Sequence, residues 1–324
     1  MTSNMSANMG DTHNLTLARS LCPYRTISII GMAKNVGKTT TLNYLIEVFN
    51  REKTSLGLTS IGRDGERVDV VTKTKKPEIF VFKGTIIATA EQLLPLCDIT
   101  KEILMLTDFN TPLGRIVLVR ALSDGFVQLG GPSITTQVSD LIKHIPSDKV
   151  IVDGAINRKS LASPDVTDAT VLCTGAGLNR SMNTVIEETH HAVQMLMLPK
   201  FEAALLHTGF LANGALDEKI TIQQGCIYVR GAVSDSLALE IIMSNPDLKG
   251  TYIVADDPSK LFIKPATYEK LRLKKAILAV KATINLVGLT INPVSPYHDG
   301  FHPGEFLEKM QEAVPVPVYN VLCS

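Results

Sequence analysis

The stretch TISIIGMAKNVGKTTTLNYLIEVF, residues 26–49, reads as strand, glycine loop and helix in direct succession. TISII is a short β-branched run with no polar face, the pattern of a strand buried on both sides. TLNYLIEVF repeats its apolar positions at helical spacing, with Leu42, Leu45, Ile46 and Phe49 on one face. Between them Gly37, Lys38 and Thr39 form a GK[ST] core in the strand-to-helix setting that a phosphate-binding loop requires. Glycine lets the main chain curl so that successive N–H groups point at one anion, and the helix N-terminus adds partial positive charge.

Each loop residue has an expected part. The main chain of Lys34, Asn35, Val36 and Gly37 would cradle the phosphates. Lys38 would reach the β- and γ-phosphates, the Thr39 hydroxyl would hold Mg²⁺, and Thr40 would bond the α-phosphate. Gly31 precedes Gly37 by six positions rather than the usual five, which puts Met32 where a glycine is expected. Magnesium on a polyphosphate keeps most of its water and needs one or two carboxylates from neighbouring strand ends. Asp153, closing the apolar run KVIVD, reads as one such carboxylate or as the cap of the following turn. Asp64, in TSIGRDGERVD after the second strand, is the choice for the second, with Glu66 and Asp69 as rivals; Arg63 or Arg67 would meet a phosphate. The segment NRKS (157–160) lacks the aspartate that reads guanine, so ATP is preferred over GTP.

Outward from this unit the pattern continues through 324 residues. TSLGLTSI (54–61), KVIVDGA (149–155) and ATVLCTGAG (169–177) read as further parallel strands, and SMNTVIEETHHAVQML (181–196) as a helix. GRIVLVRAL and GFVQLGG, separated by Ser123 and Asp124, suggest a β-hairpin. After about residue 200 strands and helices alternate again. YEKLRLKKAILAV (268–280) reads as a basic helix, followed by the strand INLVGLTIN and the helix GEFLEKMQEAV. The expected fold is α/β, a P-loop NTPase with a mainly parallel, doubly wound sheet. Its divisions are a flexible segment over 1–22, a nucleotide domain over 23–200, and residues 201–324 as a smaller α/β domain or an extension of the first sheet.

Composition narrows the function. Lys plus Arg equals Asp plus Glu at 32 each, so no global field draws the chain to nucleic acid or an anionic membrane. Five cysteines without a CxxC pair point to free thiols and a reducing cytoplasm. The polar N-terminus has no apolar signal core, and no apolar run reaches membrane-spanning length. His298 and His302 are four apart, but Pro296, Gly300 and Pro303 place them in a loop rather than on a metal-binding helix face.

The loop resembles that of dethiobiotin synthetase and the cobyrinic and cobyric acid synthases, in the P-loop subclass that includes nitrogenase iron protein and MinD. SIIGMAKNVGKTTTLN, TSIGRDGE, KPEIFVFKGTIIATA, VIVDGAINRKS and INPVSPYHDGFHPGEFLEKM together resemble a narrower family. It is the P-loop subunit encoded beside lysine 5,6-aminomutase and ornithine 4,5-aminomutase. That resemblance implies an ATP- and Mg²⁺-dependent accessory protein. It would act with a MutS-like ATPase partner to reactivate an adenosylcobalamin-dependent aminomutase, with Lys38, Asp64 and Asp153 as the working residues. The alternatives are a dethiobiotin synthetase-like ligase, acting on a small carboxylate at a homodimer interface, and a nucleotide-binding scaffold that does not hydrolyse.

Overall fold

The computed structural model describes residues 17–62, 78–154, 162–163, 165–202, 210–212 and 225–322. The chain divides into two compact units, Met1–Glu187 with Leu286–Ser324, and Glu188–Asn285.

The first unit opens with β1 (Thr26–Gly31), α1 (Lys38–Arg51), β2 (Leu56–Ser60), β3 (Ile79–Val81) and β4 (Ile86–Ala90). Next come β5 (Lys101–Thr111), β6 (Gly114–Ala121), β7 (Gly125–Val127), α2 (Thr135–Lys143), β8 (Lys149–Asp153) and β9 (Ala169–Gly175). The residues of α3 (Met182–Leu196) divide between the two units. In the second unit are β10 (Phe210–Ala212), β11 (Cys226–Val229), β12 (Val233–Ser234), α4 (Asp235–Ser244), β13 (Tyr252–Ala255), β14 (Leu261–Phe262), α5 (Pro265–Leu273) and β15 (Ile277–Val280). The chain then returns to the first unit with β16 (Leu286–Asn292), α6 (Pro303–Ala313) and β17 (Val318–Asn320).

A nine-stranded sheet in the order β17-β16-β9-β1-β8-β2-β4-β6-β5 carries the first unit. From β17 to β4 neighbouring strands run parallel; β6 and β5 are antiparallel. The chain moves one way across the sheet from β1 to β2 and the other way from β9 to β16. The strand order therefore reverses beside β1, which makes the strand ends there a topological switch point. Every residue of β1 is buried, as expected of a central parallel strand. On α1 the expected face, Leu42, Leu45, Ile46 and Phe49, is buried, with Thr41 and Val48 beside it.

The second unit has its own parallel sheet, ordered β10-β11-β13-β15, and its own core, in which Leu237 and Ile241 of α4 and Leu271 of α5 meet Ile227, Ile253 and Leu278.

Four expectations are revised. The segment 201–324 is not one domain: β16 and β17 pair with β9 and each other in the main sheet, so Glu188–Asn285 is an insertion between β9 and β16. Residues 17–22 are not loose. Leu17, Ala18 and Leu21 are fully buried in the main core, and the ammonium of buried Lys149 donates to the carbonyls of Leu21, Cys22 and Tyr24. Residues 114–122 and 125–131 do not form a hairpin. β6 pairs with β4 and β5, and β7 pairs with β3. Ser123 and Asp124 instead accept main-chain N–H bonds from Thr100 and Lys83 at 2.9 and 2.7 Å. The basic run 268–280 is a helix only to Leu273; a turn with Lys275 at φ 59° leads into β15.

Candidate functional site at the loop between β1 and α1

The loop leaves β1 at Gly31 and enters α1 at Lys38. A Cβ at Gly31 would lie 2.7 Å from Lys38 Cδ and 2.8 Å from its Cγ, so the lysine stem folds back over the loop and needs glycine beneath it. This accounts for a glycine at the strand end despite the longer spacing. Gly37, at φ 89°, turns the chain into α1 from a left-handed conformation, and no side chain caps the first turn, which contains no acidic residue. Asn35 is also left-handed, at φ 59°. Thr39 and Thr40 are half-buried and Lys34 is exposed. Val36 is buried in the main core, so only its main chain faces the loop.

Neighbouring strand ends hold this curl. Met32 N–H donates to Cys173 O at 3.1 Å. Asn292, at the end of β16, donates from Nδ2 to Asn35 O at 3.2 Å, and its Cβ would sit 3.0 Å from one built on Gly37. Asn35 Nδ2 donates to the Tyr297 hydroxyl at 2.9 Å. Beneath the loop, Thr41 Oγ1 and Thr290 Oγ1 are 2.9 Å apart, and Thr290 donates to Cys173 Sγ at 3.1 Å. Burial pushes the Cys173 thiol up, against smaller opposing effects from Thr290 and Thr41; it packs as a neutral group rather than a nucleophile.

Asp153 ends β8 between β1 and β2, in register with Ile29 and Ser60. Its main-chain oxygen accepts from Ile61 N–H at 3.2 Å. The residue is half-buried, yet carboxylate Oδ1 is enclosed and has no hydrogen-bond partner among the described residues. Burial raises its pKa from 3.8 to about 6, with the nearby Lys38 ammonium pulling it partly back down. An enclosed carboxylate oxygen with no donor suits a cation or a metal-bound water better than the cap of a turn.

Asp64, Glu66, Asp69, Arg63 and Arg67 lie outside the described residues, as does the segment 157–160. Among the described residues no three His, Cys, Asp or Glu side chains gather to hold a metal ion. His298 and His302 sit in the loop between β16 and α6. His298 Nε2 lies 2.8 Å from Ala176 O, while His302 Nδ1 accepts from Glu305 N–H at 3.3 Å and caps α6.

The sequence marks INPVSPYHDGFHP as a loop but does not place Asn292 and Tyr297 against the phosphate-loop candidate. The usable signal was an Asn-Pro pair directly after a buried strand, where chain ends converge at a switch point. Fold and loop together define an α/β protein with a large, mostly parallel sheet and a braced glycine turn at its strand ends. No family model, curated protein or solved structure matches the chain. Among the described residues no helix is long and apolar enough to cross a membrane.

Proposed function

We propose that the first unit binds ATP with Mg²⁺ at residues 34–40 and hydrolyses it. We further propose that the protein serves, with a MutS-like ATPase partner, in the reactivation of an adenosylcobalamin-dependent aminomutase. The observation that carries the nucleotide reading is the pairing of Lys38, folded over Gly31, with the enclosed, partnerless Oδ1 of Asp153 beside it. A lysine opening α1, a carboxylate at the end of the neighbouring parallel strand β8 and a helix N-terminus without a side-chain cap are the parts that phosphoryl chemistry needs.

In this reading the main-chain amides from Asn35 to Thr40 receive the phosphates and Lys38 neutralises the β- and γ-oxygens. The Thr39 hydroxyl and Asp153 would hold Mg²⁺, with Asp64 as the second carboxylate. Bound Mg²⁺ supplies charge neutralisation on the phosphate oxygens. Asn292 and Tyr297 keep Asn35 in its left-handed turn, so the amide cradle is formed in advance. The aminomutase role rests on the resemblance of the segments quoted above.

Titration with a fluorescent ATP analogue tests the nucleotide reading. Lys38→Ala should weaken binding by about 100-fold or more, and retained micromolar affinity refutes the loop. Asp153→Asn should spare binding and lower turnover. ADP release stimulated by the aminomutase and its partner ATPase supports the reactivase reading; release that requires a small carboxylic acid supports the ligase.

A further inference from the structure

Residues 260–275 carry six cations, Lys260, Lys264, Lys270, Arg272, Lys274 and Lys275, against one carboxylate, Glu269, in a chain whose Lys plus Arg and Asp plus Glu are equal. The segment runs from β14 through α5 into the following turn. Its inner side belongs to the core of the second unit, where Thr267 and Leu271 are buried. Lys264, Lys270, Arg272 and Lys275 are exposed. Little of this charge is cancelled. Arg272 pairs with Glu269 at 2.9 Å, and the Lys274 ammonium donates to the carbonyls of Asn245 and Pro246, just past α4, at 3.3 and 3.1 Å. The neighbouring helix α4 adds the carboxylates of Glu240 and Asp235, which accepts from Lys264 N–H at 2.8 Å. Lys260, Lys264, Lys270 and Lys275 make no ion pair among the described residues.

Apolar side chains stand among these cations. Phe262 on β14 is 53% exposed, Leu273 at the end of α5 is 77% and Met243 in the last turn of α4 is 81%. The last two are the most exposed large apolar side chains among the described residues. The contact of Lys274 with Asn245 and Pro246 ties the end of α5 to the end of α4, so Met243 and Leu273 stand at one end of the surface. Phe262 stands at the other, with the length of α5, about 13 Å, between them. Apolar residues scattered singly need no partner, but three of them set among charges of one sign describe a docking surface.

We propose that this surface docks an acidic, amphipathic segment of a partner protein. Its carboxylates meet Lys264, Lys270 and Lys275, and its apolar side chains cover Phe262 at one end and Leu273 with Met243 at the other. Charge complementarity sets the sign of the partner, and the two separated apolar contacts set its form, a short helix laid along α5. A bilayer fits less well, because α5 has its apolar face in the core and offers lipid no continuous apolar side. The surface lies wholly in the second unit, which makes it independent of the nucleotide reading.

The probe is a fluorescein-labelled peptide of repeating Leu-Glu-Glu-Ala-Leu-Glu-Glu units, read by fluorescence anisotropy against the full-length protein. A scrambled peptide of the same composition and a peptide with Lys in place of Glu are its controls. Wild type is compared with Lys270→Gln/Lys275→Gln, with Leu273→Ser, and with Lys53→Gln/Lys83→Gln, which removes the same charge from the first unit. Every substituted side chain is exposed, so the variants keep the fold, which circular dichroism checks. The acidic peptide should bind wild type and Lys53→Gln/Lys83→Gln alike and bind each of the other two variants about fivefold more weakly or worse. Added salt should weaken it, the scrambled peptide should bind more weakly, and the lysine peptide should not bind. Equal affinity for all four proteins, equal affinity for the scrambled peptide, or no binding to wild type overturns the proposal. Tighter binding to vesicles of phosphatidylcholine and phosphatidylserine, lost in the same variants, assigns the surface to a membrane and overturns it as well.

Discussion

Replacing Asp153 by asparagine should make the protein more stable at neutral pH while costing it turnover. In the folded chain Asp153 titrates at about 6 against an ordinary 3.8, chiefly because it is desolvated. A proton is therefore held more tightly by the folded than by the unfolded chain. The Asp153 contribution to stability is greatest below about pH 4, falls as pH rises through the interval between the two values, and levels off above about 6. A difference of about two pKa units corresponds to roughly 3 kcal/mol held against the folded state at pH 7.5. Asparagine keeps the shape and removes the charge, so urea unfolding without nucleotide should show no gain at pH 4 and a gain approaching about 3 kcal/mol at pH 7.5. That figure is already net of the Lys38 ammonium, which favours the charged carboxylate. A difference that does not change between pH 4 and 7.5, or an asparagine variant less stable at pH 7.5, would refute the reasoning. Under the proposed nucleotide reading that cost is the one an active-site charge imposes on the fold.

Gly31→Ala should preserve the fold, because the new Cβ meets the flexible stem of Lys38 at 2.7–2.8 Å and Val36 Cγ2 at 3.1 Å, a contact that a shift of a few tenths of an ångström relieves. It should displace that lysine and weaken nucleotide binding in the same fluorescence titration. Gly131→Ala places a Cβ 1.7 Å from the main-chain oxygen of Ser60, and a backbone obstacle cannot rotate away; a loss above about 4 kcal/mol should appear as insoluble or unfolded protein. Lys149→Met leaves the carbonyls of Leu21, Cys22 and Tyr24 without their buried donor, so thermal unfolding should report a loss of about 2–3 kcal/mol. Amide exchange over residues 17–22 should rise in step, and an unchanged protein would show that the contact contributes nothing.

Local chemistry was legible where it is written in consecutive residues. The buried strand, glycine turn and helix of residues 26–49 follow from side-chain shape and period alone, and the apolar run before Asp153 marked that carboxylate. The N-terminal packing was written too, in Leu17, Ala18 and Leu21 at helical spacing, but a polar neighbourhood masked it. The hairpin expectation failed because Ser123 and Asp124 satisfy main-chain donors of other segments, and turn residues do not reveal which strands they serve.

What the sequence by itself determined is the alternation of elements and the loop with its lysine, because φ/ψ preference, helical period and strand burial act over a few residues. Only the tertiary structure decided that β16 and β17 rejoin the first sheet across an inserted unit, and that Asn292 and Tyr297 brace Asn35 from more than 250 positions away. A parallel strand has the same apolar pattern whichever neighbour it pairs with, so strand order, and every contact that strand order creates, is settled by packing of the whole sheet.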